Sequence, residues 1–305
     1  MALYDCFSFC WENDLLELRL NQHWDHVDKF IIVEAAETHT GIRKGFNYDH
    51  RRFKKFESKI IYHQIKDFKK EIEEVGGELL DRYSLHDRSR AGQFTDDWIR
   101  DHFQGNYPVK IMKDIGASDD DIVYLSALDE ILNEKAFTEG LKVFEDNDQK
   151  YLLKQGDLPL KDKDGEDVFE RPSFGFSLDM YVYKFNLFCK PIDVAQMTQF
   201  SLLKKILPAT IRSLSIHTHK NIQNAGWHFT FLDNTDGDRV HDKHRSWAHS
   251  RDHLPNQKVK FTHDSKQESL RRMFLDYNTE QVEITPESHP KYLIDNLEKY
   301  KDYIF

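Results

Sequence analysis

The sequence predicts an α/β fold in which a mostly parallel central sheet is flanked by helices. Strand and helix patterns alternate through the first third of the chain, and strand–helix–strand repeats at this spacing imply right-handed crossovers between parallel strands. The clearest strand lies at residues 121–126, a buried run of apolar and β-branched side chains with polar neighbours. Two adjacent carboxylates, Asp129 and Glu130, follow it.

The first three strands are separated by helical segments. Residues 3–9 and 29–34 predict two strands, and a third is expected around residues 59–63, after a polar loop and a basic helix. Between the first two strands, Asp14 and Glu17 are spaced like a capping box at the start of a helix. The apolar side of that helix is formed by Leu15, Leu16, Leu18, Leu20 and Trp24.

The rest of the chain predicts elaborations of the same domain. The charged segment 66–90 contains two adjacent glycines and suggests an excursion over the active face, the side of the sheet where a ligand would bind. A helix is expected over residues 94–104. Residues 156–172 predict a charged loop or hairpin, and the helical spacing that begins at Pro290 predicts a closing helix. We therefore expect a single domain over residues 1–305.

The composition restricts the class of protein. The net charge of −10 argues against a general nucleic-acid binder, which needs a basic face. The 3 cysteines are too few and too scattered for a disulfide framework or a zinc site, so a reducing compartment is expected. No apolar run approaches the roughly 18 residues that a membrane span needs, and no signal peptide is visible. We expect a cytoplasmic protein.

The carboxyl ends of the predicted parallel strands carry candidate site residues. Ligands of open α/β sheets gather at this edge, and the carboxylate oxygens of Asp129 and Glu130 suit Mg²⁺ or Mn²⁺ that holds a diphosphate. An alternative with equal weight is that Asp129 caps a following helix. Glu34 ends a strand on the same edge, and Arg43 and Lys44 bring positive charge near it.

Two segments in the second half contain further candidate histidines. Gly226 precedes Trp227 and His228, which indicates a close backbone approach on a strand where His228 alternates with aromatic residues. His249 follows a short apolar stretch within residues 243–251. The alternative for both is structural, because a lone histidine on an apolar strand is more often a hydrogen-bonded core residue than a ligand.

Short motifs along nearly the whole chain resemble those of glycosyltransferase family 17, and they come in the same order. They are the segments Asp5–Phe7, Asn13–Arg19, Val27–Asp28, Ile32–Glu34, Thr38–Gly41, Asp97–Arg100, Asp120–Val123, Asp129–Ile131, Gly226–His228 and Pro290–Leu293. Each motif is weak alone, and the resemblance rests on their order.

The resemblance implies a GT-A fold that transfers a sugar from a nucleotide-sugar donor, UDP-GlcNAc in characterised members, with inversion at the anomeric carbon. It also implies a divalent metal, Mn²⁺ or Mg²⁺, that bridges the donor diphosphate, with Asp129 and His228 as ligands. The acceptor is expected to be a glycan or a glycolipid. We expect the nucleotide-binding part at about residues 1–150 and the acceptor part at about residues 151–305.

The same comparison implies further roles. Glu34, Arg43 and Arg100 are expected to contact the nucleoside end and the phosphates of the donor. The base that deprotonates the acceptor hydroxyl stays open between Glu130, beside the metal position, and Asp179, in a downstream segment.

Two departures from the family pattern bear on these expectations. Ala127 stands where the family has the first aspartate of its Asp-x-Asp motif, and a single carboxylate binds Mn²⁺ less well, so the metal requirement stays open. The chain also lacks the N-terminal membrane anchor of the Golgi members, so a bacterial or viral cytoplasmic setting is expected.

Three other functions stay open. Ala127 also fits a non-catalytic module that binds a sugar nucleotide or a glycan. A viral enzyme that glycosylates DNA is disfavoured by the net charge of −10. A metal-dependent phosphoesterase would use Asp129, His228 and His249.

Overall fold

The computed structural model describes residues 1–80, 96–145, 149–155, 158–162, 165–214, 219–251 and 277–305. Within these ranges, a 9-stranded sheet has the order β3-β2-β1-β4-β11-β10-β12-β5, and β13 pairs with β11. The strands are β1 (Leu3–Phe9), β2 (Lys29–Ala35), β3 (Ile60–Ile65), β4 (Ile122–Leu125), β5 (Glu130–Leu132), β6 (Tyr151–Leu152), β7 (Lys154–Gln155), β8 (Leu158–Pro159), β9 (Phe169–Glu170), β10 (Phe174–Val182), β11 (Leu187–Gln199), β12 (Gly226–Thr230) and β13 (Glu280–Gln281).

Helices flank this sheet. They are α1 (Asn13–His23), α2 (Phe68–Leu79), α3 (Asp96–Asp114), α4 (Glu134–Glu145), α5 (Phe200–Leu203), α6 (Pro208–Leu214), α7 (Asp238–Ser246) and α8 (Lys291–Asp295). A short 3-10 helix, Lys54–Lys59, stands where the basic helix is predicted. In the described part of the chain, every helix is too short or too polar to cross a lipid bilayer.

The predicted fold class is confirmed. β1 pairs in parallel with β2 and β4, and β2 pairs in parallel with β3. β10 and β12 are also parallel to each other, whereas β11 and β5 run antiparallel to their neighbours. The side chains of β1, β2 and β4 are almost all buried, as expected for strands that are covered on both faces. The carboxyl ends of the first four strands therefore meet at one edge.

The predicted capping box of α1 is wrong, although the helix itself is confirmed. The N-cap residue is Glu12, and its side chain makes no capping hydrogen bond. Asp14 and Glu17 instead form ion pairs with Arg52, at 2.6 Å and 2.5 Å. This pairing with the segment after β2 takes up both carboxylates. The predicted apolar side is buried at Leu15, Leu16, Leu18 and Leu20.

Two further predictions need correction. Residues 68–79 form α2 rather than an excursion, because the Asp67 side chain caps the helix and Gly76 is buried against Ile72. Positions 81–95, which complete the predicted excursion and include the first predicted residues of α3, lie outside the described residues. α3 itself continues to Asp114, well beyond the predicted end, since its buried side continues through Val109, Ile111 and Met112.

The predicted hairpin and closing helix are confirmed in outline. β7 pairs with β8 and β6 pairs with β9, both antiparallel, so the charged segment is a hairpin that begins slightly earlier than predicted. α8 begins directly after its N-cap residue Pro290 and is short. It docks on α1, since the Tyr292 hydroxyl donates to Glu17 at 2.7 Å and the Tyr303 hydroxyl, further along the chain, donates to Asp14 at 2.6 Å.

A buried histidine connects α1 with β1 and β5. Nδ1 of His23 lies 2.8 Å from Oδ2 of Asp5, and the Leu132 N–H donates to Nε2 at 2.9 Å. Because Nε2 accepts a hydrogen bond, the imidazole is the neutral tautomer with its proton on Nδ1. Burial lowers the pKa of His23 to about 4, against the opposing effect of the Asp5 carboxylate.

Gly226 allows β12 to lie against β5. Its φ is +142°, and a Cβ atom at this position would lie 2.1 Å from the Ile131 carbonyl oxygen and 2.9 Å from Leu132 Cα. Only a residue without Cβ fits there. The close approach predicted from the sequence is thus confirmed, and it sets the register that places His228 opposite Glu130.

We expect Gly226→Ala to lower the free energy of unfolding by about 2 kcal/mol or more, because the new methyl group meets backbone atoms that cannot move independently. Denaturant unfolding measures the change. Gly77→Ala is the matched control, since a Cβ there meets nothing within 4 Å, and we expect a neutral or slightly positive effect. Equal stability of the two variants would contradict the close approach.

We expect His23 to make stability depend on pH between 6.5 and about 4. In this window the unfolded chain binds a proton at His23 and the folded chain does not, so the free energy of unfolding falls as pH falls. The contribution is on the order of 3 kcal/mol across the window. Denaturation of the wild type and His23→Gln at a series of pH values tests this, with the exposed His50 changed to Gln as control. Parallel curves for all three proteins would refute it.

Candidate active site

A cavity of about 780 Å³ opens at the carboxyl ends of β1 and β4. Residues 6–12, 37–39 and 125–130 form one side, and residues from β10, β11, β12, α6 and α7 form the other. Both halves of the chain therefore contribute to its wall. The volume falls within the range of about 300–1,000 Å³ that is usual for small-molecule sites.

Arg19 fixes the loop between β4 and β5. Its guanidinium is fully buried and donates to both carboxylate oxygens of Asp5, at 3.0 Å from Nε and 2.5 Å from Nη2. Nη1 donates to three main-chain carbonyls of the loop, those of Ala127 (2.6 Å), Leu128 (3.1 Å) and Glu130 (2.8 Å). The Arg19 side chain thus fixes, through these hydrogen bonds, the backbone that carries Asp129 and Glu130.

Asp129 forms an ion pair within the cavity wall. Lys243 Nζ donates to its Oδ2 at 2.8 Å, and His228 Nε2 lies 3.5 Å from its Oδ1. Although burial alone would raise the pKa of Asp129, the Lys243 ammonium and His228 hold it well below its usual range. The carboxylate is therefore ionised at neutral pH. The alternative that Asp129 caps a helix is not what the structure shows, since β5 begins at the next residue.

Glu130 is held at both oxygens. Oε2 accepts the main-chain N–H of Ala127 at 2.8 Å, and Arg212 Nη2 donates to Oε1 at 2.7 Å. The first contact depends only on the backbone of Ala127. Each of the two adjacent carboxylates therefore has its own cation, and each cation comes from a different helix of the second half.

His228 completes a group that could hold a metal ion. It lies on β12, where it pairs with Glu130 of β5 and Met180 of β10. One ligand atom each from Asp129, Glu130 and His228 lie within 4.8 Å of one another. Nδ1 of His228 is buried and has no hydrogen-bond partner among the described residues. Nε2 faces Asp129, so it is the atom available to an ion.

The structure does not bring Glu34, Arg43 or Arg100 into the cavity wall. The buried Glu34 carboxylate accepts hydrogen bonds from Lys44 Nζ (2.7 Å), Asn47 N–H (2.6 Å), Tyr48 N–H (3.1 Å) and the Tyr62 hydroxyl (2.7 Å). Arg43 has a 72% exposed side chain, 3.6 Å from Glu37. Arg100 donates to the His39 carbonyl at 2.9 Å and so supports the loop that reaches the cavity.

Asp179 and His249 are placed differently from each other. Asp179 precedes Met180 on β10, and successive side chains of a strand point to opposite faces, so Asp179 faces away from the cavity that Met180 lines. Burial raises the pKa of Asp179. His249 does line the cavity, but its ring packs edge-on against Trp98 at 4.4 Å and it is not part of the metal-ligand group.

The residues that sequence reasoning missed are Arg19, Arg212 and Lys243. Arg19 lies within one of the motifs that resemble the family, and Lys243 begins the segment that contains the candidate His249. Neither has a local signal for its contact with the loop after β4, since Arg19 and Lys243 are separated from their partners in that loop by 108 or more positions. Arg212 is 82 positions from Glu130.

The first half of the chain matches a known protein family. The family model described as glycosyltransferase family 17 matches residues 1–153 of the 305 residues. The matched part contains Asp129 and Glu130, whereas Arg212, His228 and Lys243 lie beyond it. No curated protein matches the chain. Because the match covers half of the sequence and includes the strand-end carboxylates, the chain belongs to glycosyltransferase family 17.

Proposed function

We propose that this glycosyltransferase moves GlcNAc from UDP-GlcNAc to a glycan or glycolipid acceptor, with inversion and with help from a divalent metal. The observation that carries the proposal is the convergence of Asp129, Glu130 and His228 at the wall of the large cavity. This cavity lies outside the carboxyl ends of parallel strands, where open α/β sheets bind their ligands. Family membership supports the glycosyl transfer itself.

Asp129 and His228 fit the proposed metal, Mn²⁺ or Mg²⁺. Their facing atoms are 3.5 Å apart, and a carboxylate oxygen with an imidazole nitrogen is a donor set that Mn²⁺ accepts. When bound, the ion would neutralise negative charge on the donor phosphates and so stabilise the leaving nucleotide. The second oxygen of Asp129 stays with Lys243, which keeps the carboxylate oriented.

The positions of the other predicted site residues bear on their proposed roles as base or as donor contact. Glu130 is the better placed of the two candidate bases, because it lines the cavity whereas Asp179 faces away from it. Arg43 is proposed to reach the donor phosphates, since its side chain is exposed and its contact with Glu37 is long. Glu34 and Arg100 are proposed to act through the loops that they hold.

We also propose that the nucleotide binds mainly to residues 1–150 and the acceptor mainly to residues 151–305. The end of the family match at residue 153 supports this division. The cavity wall contributed by β10, β11 and α6 offers the acceptor a surface opposite the loops that follow β1 and β2.

We expect Asp129→Asn to reduce turnover of the nucleotide sugar by about 100-fold or more, because a metal ion supplies several kcal/mol of charge stabilisation. The assay measures nucleotide release from a panel of nucleotide sugars with Mn²⁺, and again with EDTA. Asp120→Asn is the control, since Asp120 is exposed in the turn before β4, at the other end of the strand. Equal turnover of the two variants would contradict the role of Asp129.

A non-catalytic sugar-nucleotide module is the second candidate, because both site carboxylates already have cation partners. Calorimetry separates the two functions. Donor binding that is insensitive to EDTA, together with no turnover of any nucleotide sugar, would favour the module over the enzyme.

A further inference from the structure

Two cations are built into the carboxylate site, and both face the cavity. Lys243 of α7 pairs with Asp129, and Arg212 of α6 pairs with Glu130. The Lys243 side chain is 25% exposed and the Arg212 side chain is 30% exposed, so both are partly accessible to solvent. Both residues line the cavity of about 780 Å³.

Each of the two cations has N–H donors beyond the one that its ion pair uses. In the described part of the chain, Lys243 Nζ makes one hydrogen bond, to Asp129, and Arg212 makes one, to Glu130. An ammonium has three N–H donors and a guanidinium has five. The remaining donors are available to an anion in the cavity without loss of the ion pairs.

Within this cluster of four residues, the two cations also offset the charges that would oppose an anionic ligand. Asp129 and Glu130 contribute two negative charges, Lys243 and Arg212 balance them, and Ala127 adds no carboxylate. Without the two cations, the bare carboxylates would repel a diphosphate. With them, the charges of these two ion pairs balance, and the cations offer further N–H donors, which bind phosphate oxygens well.

We propose that Lys243 and Arg212 bind the diphosphate of the sugar-nucleotide donor directly, a role that rests on the proposed function and adds to any metal held by Asp129 and His228. In the transfer, the acceptor oxygen bonds to the anomeric carbon, the bond from that carbon to the phosphate oxygen breaks, and the electron pair leaves with the diphosphate. The acceptor proton passes to the base. The two cations neutralise the charge that develops on the leaving group.

The test compares UDP with uridine, because only UDP carries the diphosphate. Calorimetry is run with the wild type, Lys243→Met, Lys243→Arg and Arg212→Met, in EDTA and in Mn²⁺. We expect both methionine variants to bind UDP ~10-fold to ~100-fold more weakly and to bind uridine as the wild type does. Lys243→Arg should keep most of the UDP affinity, because the charge is retained.

Lys110→Met is the matched control. Lys110 forms an ion pair of the same length, 2.8 Å, with Asp114 on α3, and it is not among the described residues that line the cavity. We expect it to bind both ligands as the wild type does. Thermal midpoints of all variants show whether each is folded, and retained uridine binding shows that the pocket is intact.

Two results would overturn the inference. If Lys243→Met binds UDP as tightly as the wild type, the lysine does not contact the diphosphate. If UDP and uridine are weakened equally, the role of the lysine is structural. A wild type that does not bind UDP would instead contradict the proposed donor class, and the two failures are therefore distinguishable.

Discussion

The site depends on the burial of one charge, the guanidinium of Arg19. Removing one partner of a buried ion pair costs about 3–5 kcal/mol, because the remaining charge stays uncompensated. The buried charge of Arg19 is compensated by the Asp5 carboxylate and by carbonyl oxygens of the loop after β4. The same contacts that make the buried charge tolerable therefore determine the shape of the loop that carries Asp129 and Glu130. His23, on the same carboxylate, extends this polar cluster to β5.

The second half of the chain completes the site through β12. The close backbone contact at Gly226 brings β12 against β5, and the resulting register sets His228 opposite Glu130. The helices α6 and α7 then supply the cations for the two carboxylates. The strand-end carboxylates belong to the part that matches the family, and the groups that set their charge belong to the rest.

Local patterns were sufficient to predict most of the framework but not the partners of the site residues. Apolar runs located β1, β2 and β4, and the glycine before Trp227 predicted the close approach of β12, because these signals lie within a few residues. The capping box at Asp14 failed because Arg52, 38 positions away, competes for the same carboxylate. The resemblance implies a donor contact for Glu34, and the sequence carries no signal that Lys44, Asn47 and Tyr48 of the loop that follows donate to its carboxylate. Such competition between partners is decided by the tertiary structure.

The way Arg19 holds its loop also bears on how the sequence of that loop can vary. Arg19 contacts Ala127 and Leu128 through their carbonyl oxygens, and Glu130 receives the N–H of Ala127. All three contacts use atoms that every residue except proline possesses, so the side chain at position 127 can change while the loop keeps its conformation. Chemistry and architecture are thereby separated at this position: a charged side chain there would change the charge offered to a ligand while the backbone contacts that shape the loop stay available.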